Sequence, residues 1–200
     1  MKYSILDAIK HRRTYYALKN ESPISNDELR QIIEQSVKYV PSAFNSQSTR
    51  LVVLIGDKHR KVWELTKDVL RGMVSPENFP ATENKINTAF ESGYGTVLYY
   101  EDQAVVRGLQ EQFPAYADNF PVWSEHTNAM HQLTIWTALE EVGFGASLQH
   151  YNPIIDDSLA KEFNINPDWK LRAQMPFGLP ACDAGEKAFE PLENRIVFFK

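Results

Sequence analysis

Along this chain, apolar residues recur at spacings of three and four in long stretches, and short, continuously apolar runs separate them. The first pattern is that of helices with a buried face and the second that of strands. Ser4-Ile5-Leu6-Asp7 reads as a capping box opening a short helix whose apolar side carries Ile5, Leu6 and Ile9. Residues 14–20 read as irregular chain. Ser25-Asn26-Asp27-Glu28 is a stronger box, followed by Leu29, Ile32, Ile33 and Val37 at helical spacing, and Pro41 ends that helix. A loop over 41–49 leads into Leu51-Val52-Val53-Leu54-Ile55, whose unbroken apolar character predicts a strand buried on both faces. A helix over 58–72 places Val62, Leu65, Val69 and Leu70 inward.

A loop with two prolines over 75–81 comes next, then a helical segment through Lys85, Ile86, Ala89 and Phe90, which Gly93-Tyr94-Gly95 breaks. Thr96–Tyr100 predicts a second strand and 103–112 a helix. Phe113-Pro114 and Phe120-Pro121 frame an aromatic excursion. The longest helical pattern, 122–142, is apolar on several faces and so predicts a central helix. Ala146–Gln149 reads as a short strand, and Asp156 or Asp157 caps a helix through Phe163. Leu171, Ala173, Met175 and Phe177 alternate with wetter residues in a period-two strand. Ile196–Phe199 reads as a terminal strand with no helix after it. The whole predicts one α+β domain over 1–200, built around one sheet, with no repeats and no linker.

Composition narrows the function classes. The net charge of −5 argues against a nucleic-acid partner. Cys182 is the only cysteine, so no intrachain disulfide is available, and its apolar and acidic neighbours do not suggest an activated thiolate. The N-terminus lacks the apolar core of a signal peptide and no stretch reaches bilayer length, so the expectation is a cytoplasmic protein with no membrane partner. The five histidines lack the spacing of a metal site, and neither a nucleophile elbow nor a P-loop occurs.

Three segments carry chemistry. Arg12-Arg13-Thr14-Tyr15-Tyr16 brings two guanidiniums, a hydroxyl and two rings to the exit of the first helix, which suits an anion such as a phosphate. Cations at a helix C-terminus also favour the macrodipole without any ligand. Pro41-Ser42-Ala43-Phe44-Asn45-Ser46-Gln47 offers short hydroxyl and amide groups where a loop meets a strand, although such residues also simply form turns. Gly143-Phe144-Gly145-Ala146-Ser147-Leu148-Gln149-His150 lets backbone approach a flat ring. It equally reads as a helix cap plus a strand, and it fails as a dinucleotide fingerprint. Together these tools suit a phosphate-bearing planar molecule such as flavin mononucleotide (FMN).

These segments, with the Gly95–Leu98 strand and the run from Gly145 to Pro153, resemble the nitroreductase family, and its short branch of fatty acid repression mutant protein-like members above all. The resemblance spans nearly the whole chain, in order. It implies an α+β fold with a central, mostly antiparallel sheet flanked by helices. It also implies a homodimer that binds FMN at its interface, with the C-terminal strand exchanged between subunits. Arg12, Arg13 and Thr14 then meet the phosphate and ring edge, and Tyr16 stands where many members have a basic residue. Pro41, Ser42, Ala43, Asn45 and Gln47 come from the second subunit to line the ring. Leu148, Gln149 and His150 lie against it, and Lys85 is a further ring-edge candidate. Lys187 matches a phosphate-binding lysine, while Phe189 replaces the arginine two positions on. The glutamate that many larger members carry after the central helix is absent. The implied activity is reduction of nitroaromatics, quinones or similar flat acceptors by NADH or NADPH in a ping-pong cycle. No catalytic side chain and no metal are needed. The departures at Tyr16 and Phe189 motivate an alternative, a flavin-carrying regulatory or stress-response protein with little turnover. Phe44, Tyr94, Phe113, Tyr116, Phe120 and Trp123 either shape an acceptor pocket or are packing residues.

Overall fold

The computed structural model describes residues 4–200. The fold is α+β: an antiparallel sheet of five strands, with seven α-helices among the described residues. Helix α1 (Ile5–His11) opens with the expected reciprocal cap between Ser4 and Asp7, and α2 (Asn26–Tyr39) with the one between Ser25 and Glu28. Strand β1 (Leu18–Lys19) lies in the stretch expected to be irregular; two residues are too few for a period to show. After the loop come β2 (Thr49–Ile55), α3 (Asp57–Arg71) and α4 (Phe79–Ile86), which passes into a π-helical turn over Asn87–Glu91. Strand β3 (Gly95–Asp102), α5 (Gln103–Gln112), α6 (Asn119–Glu141), β4 (Gly145–Ala146), α7 (Asp156–Phe163) and β5 (Trp169–Pro180) complete the order.

The sheet runs β1-β5-β3-β2, with β4 pairing β5 at Phe177 and Gly178, beside the residues that pair β1. Alternation along β3 separates two cores. Val97 and Tyr99 pack with Leu29 and Ile33 of α2 and Ile135 and Leu139 of α6. Leu98 and Tyr100 pack on the other face with Val62 and Trp63 of α3, Ile86 of α4 and Leu159 of α7. Helices therefore cover both faces, and β3 is buried along its whole length.

The expectations for β2 and β5 need correction, and the short strand expected over Ala146–Gln149 is only Gly145–Ala146. Strand β2 is an edge strand, and Val53 is 38% exposed, so its apolar run is not buried on both faces. Strand β5 bulges at Arg172: Tyr99 opposes Ala173 but Tyr100 opposes Leu171. The extra residue reverses the parity, so Leu171 joins the opposite core from Ala173, Met175 and Phe177. The supposedly wetter face of β5 is also covered, with Gln174 fully buried.

Much apolar surface is left open. Ile5 and Leu6 of α1 are each 74% exposed, and Ile9 and Leu133 border an apolar groove of about 290 Å³ between α1 and α6. Residues 196–199 form no strand within this chain, and Phe198 and Phe199 are 84% and 95% exposed. A strand needs a neighbour to complete its hydrogen bonds, and the described residues offer that segment none. Among the described residues, no helix is long and apolar enough to cross a membrane.

Candidate functional site

The cationic run leaves α1 against the C-terminal end of α6. The Arg12 guanidinium lies 4.4 Å from the Trp136 ring centroid, a cation–π arrangement, and its Nε is buried without a hydrogen-bond partner. One turn further along α6, the Glu140 carboxyl accepts the Arg13 backbone N–H at 2.6 Å. Burial pushes Glu140 up to about 7, against the opposing pull of that hydrogen bond and of the Arg12 and Arg13 charges. The Arg13 side chain donates to the Gly185 carbonyl. Ala181 N–H also donates to the Ala17 carbonyl at 2.8 Å, so the segment carrying Lys187 returns beside the cationic run. Lys187 itself sits over Phe189, 5.3 Å from the ring centroid.

Thr14 bridges to Ala146, and Tyr15 N–H donates to the Ala146 carbonyl at 3.0 Å. That approach requires glycine next door, because a Cβ on Gly145 would fall 2.9 Å from Tyr15 atoms. Tyr16 is half exposed, with its ring centroid 6.4 Å from that of Phe90. The Lys85 ammonium lies 5.9 Å from the same ring, and Tyr151 closes the group at 6.2 Å. Gln149 pairs with Gln174 through both backbone groups, at 2.7 and 2.9 Å, which holds Leu148 and His150 on either side of it.

The second region lies elsewhere. In the loop 41–47, Phe44, Asn45 and Gln47 all have left-handed backbones, with φ of 56°, 50° and 47°. For residues other than glycine this conformation is costly, and such strain collects where a surrounding structure enforces it. Ser42 Oγ accepts the Gln47 N–H at 3.0 Å, and Arg50 donates to the Gln47 carbonyl at 2.6 Å. Pro41, Asn45 and Gln47 are exposed; Ser42 and Ala43 are half buried. The Phe44 ring sits among Phe113, Tyr116, Phe120 and Trp123, nearly parallel to Trp123 at 5.9 Å.

The predicted site residues thus fall into two groups. Arg12, Arg13, Thr14, Tyr16, Lys85, Leu148, Gln149, His150 and Lys187 belong to the first, and Pro41, Ser42, Ala43, Asn45 and Gln47 to the second. Phe44 packs on Trp123 near the start of α6 and Arg13 bonds Glu140 near its end. Seventeen residues of helix separate these anchors, roughly 25 Å at 1.5 Å per residue. No tricyclic ring bridges that distance within one chain.

Trp136, Glu140 and Gly185 escaped the sequence reading. Trp136 and Glu140 are four apart on one helix, but nothing local signals that Arg12 and Arg13 pack on them.

Residues 9–179 match the model of the nitroreductase family. The HBN1 protein of Saccharomyces cerevisiae is 37% identical over 197 residues, covering 97% of this chain and 96% of its own length. The nitroreductase FRM2 of the same yeast is 36% identical over 186 residues, 92% of each chain. Among solved structures, nitroreductase CinD from Lactococcus lactis in complex with nicotinic acid superposes with a TM-score of 0.92 at 43% identity, covering 98% of this chain and 100% of that one. The same protein in complex with 4-nitrophenol gives 0.90 at 43%.

Proposed function

Because the chain belongs to the nitroreductase family, we propose that two copies of it bind FMN between them and act as an NAD(P)H-dependent oxidoreductase on nitroaromatics, quinones or similar flat acceptors, in a ping-pong cycle. The observation that carries this reading is the split site. A cationic group and a small polar loop are both present, and roughly 25 Å of helix holds them apart within one chain. A two-fold dimer can bring the first group of one protomer to the second group of its partner.

The residues fit FMN. Arg12 and Arg13 would take the phosphate, with the segment carrying Lys187 already beside them, and the partnerless buried Arg12 Nε leaves a donor to satisfy. Ser42, Asn45 and Gln47 of the other copy would meet the polar edge of the ring. Bound there, FMN would supply the electron chemistry, taking electrons from NADH or NADPH and passing them to the acceptor. Lys85 or a guanidinium from 12–13 would favour electron uptake by placing positive charge near the ring. No side chain need act as nucleophile. The CinD complexes with nicotinic acid and 4-nitrophenol support flat aromatic compounds as the ligand class.

The visible spectrum of the purified protein tests the reading. A flavin spectrum that bleaches with NADH or NADPH and returns with a nitroaromatic is expected. A colourless protein that takes up no added FMN overturns it.

The departures at Tyr16 and Phe189 favour a second reading, a flavin-carrying regulatory or stress-response protein. The Lys187 ammonium lies over the Phe189 ring, so the lysine is engaged on an aromatic face where the family pattern has an arginine. Steady-state turnover at saturating FMN separates the two, and brisk reduction excludes the second.

A further inference from the structure

Within the proposed cofactor site, we propose that Glu101 is a positioning residue: its buried carboxyl group holds the strained 42–47 loop in shape and so sets the loop's grip on FMN. The role in FMN binding rests on the function proposed above; the tether itself does not.

Glu101 is fully buried at the end of β3, where an acidic side chain is seldom found without partners. It has three. Ser48 Oγ donates at 2.6 Å, Thr49 Oγ1 at 2.5 Å and Asn128 Nδ2 at 2.9 Å. Ser48 and Thr49 directly follow the loop, and Asn128 belongs to α6, so one carboxyl group joins the loop exit to the central helix. Asn128 is fixed in turn, donating to the Tyr100 carbonyl at 3.2 Å and accepting from Gln132 at 2.7 Å. The next residue repeats the tie: Asp102 pairs with Arg50 at 3.1 Å, Arg50 donates to the Gln47 carbonyl, and Asp102 N–H donates to the Ser48 carbonyl at 3.0 Å.

Three left-handed residues lie just before these ties. A strained backbone persists only where its surroundings over-determine it, and the Glu101–Asp102 pair supplies that determination. Removing the carboxyl alone would strand the buried donors of Ser48, Thr49 and Asn128, so the hydroxyl variants and Glu101→Gln are needed to separate loop positioning from stability.

The test uses the full chain and four variants: Glu101→Gln, Glu101→Leu, Ser48→Ala and Thr49→Val. Amide hydrogen exchange without FMN reads the tether. Residues 42–47 should exchange about tenfold faster in Ser48→Ala and Thr49→Val, with the β2–β3 ladder unchanged; unaltered exchange there overturns the tether. Quenching of FMN fluorescence reads the grip. Glu101→Leu, or the two hydroxyl variants if it does not fold, should raise the FMN dissociation constant about tenfold and shift the flavin absorption envelope. Glu101→Gln should restore both, because rotating hydroxyls can still pair with an amide. A loosened loop with unchanged FMN affinity and envelope overturns the positioning role. If the wild-type chain binds no FMN, the proposed function fails and hydrogen exchange alone decides the tether.

Discussion

The two ends of α6 carry opposite kinds of order. At the C-terminal end, Arg12 and Arg13 are held by one ring face, one carboxyl group and the Gly185 carbonyl, and Lys187 is exposed. At the N-terminal end, the loop 41–47 is strained, tied across itself and at its exit, and backed by a buried polar network. Under the proposed function, the difference matches what each end would recognise. A phosphate is drawn by charge, which acts over several ångströms and tolerates loose aim. The edge of a flat ring is recognised by hydrogen bonds, which weaken steeply with angle and so demand fixed directions.

The most severe way to break the comparison is to damage each end in a different chain. If two copies share the site as proposed, the Arg13→Ala and Asn45→Ala proteins should each be nearly inactive. Refolding the two together should recover activity from heterodimers, which carry one intact site, to about a quarter of the wild-type level. No recovery in a nitroaromatic reduction assay would show that both groups serve one chain. Next in size, Arg13→Ala alone should weaken FMN binding by about 1.5–3 kcal/mol if its guanidinium bonds the phosphate; equilibrium dialysis with FMN measures it. Trp136→Leu removes the ring beneath Arg12 and should weaken FMN binding by about 0.5–2 kcal/mol, leaving exchange of the 42–47 amides untouched.

The smallest effect concerns pH. Burial raises Glu140 to about 7 from an ordinary value near 4.5. Between those values the unfolded chain has released this proton while the folded chain keeps it, so the Glu140 contribution to stability falls as pH rises. The melting temperature of the wild type relative to Glu140→Gln should therefore drop from about pH 4.5 to about 7. Buried His59, pushed down to about 4 from 6.5, contributes the opposite slope between those values. It is present in both proteins and cancels in the difference. A flat difference would mean that the Glu140 carboxyl is not desolvated where it packs at the end of α6.

Much of the fold was legible because its signals are local. The two capping boxes, Pro41 and the apolar periods of α2, α3 and β3 each act within a few residues. The errors arose where the decisive neighbour is distant. The edge position of β2 depends on which strand pairs with it, and the bulge at Arg172 depends on its register against β3. Isolated apolarity could not reveal that the faces of α1 and the 196–199 segment are left open within the chain.

For the candidate site the division is similar. Residue types and their order along the chain marked the cationic run and the small polar loop, because the chemistry of guanidinium, hydroxyl and amide groups belongs to the residues themselves. Their placement at opposite ends of a 23-residue helix, the strained backbone of the loop and the buried Glu101 behind it emerged only in three dimensions. Those features arise from contacts between segments far apart in the chain, and it is the packing of the sheet against α6 that brings such segments together or holds them apart.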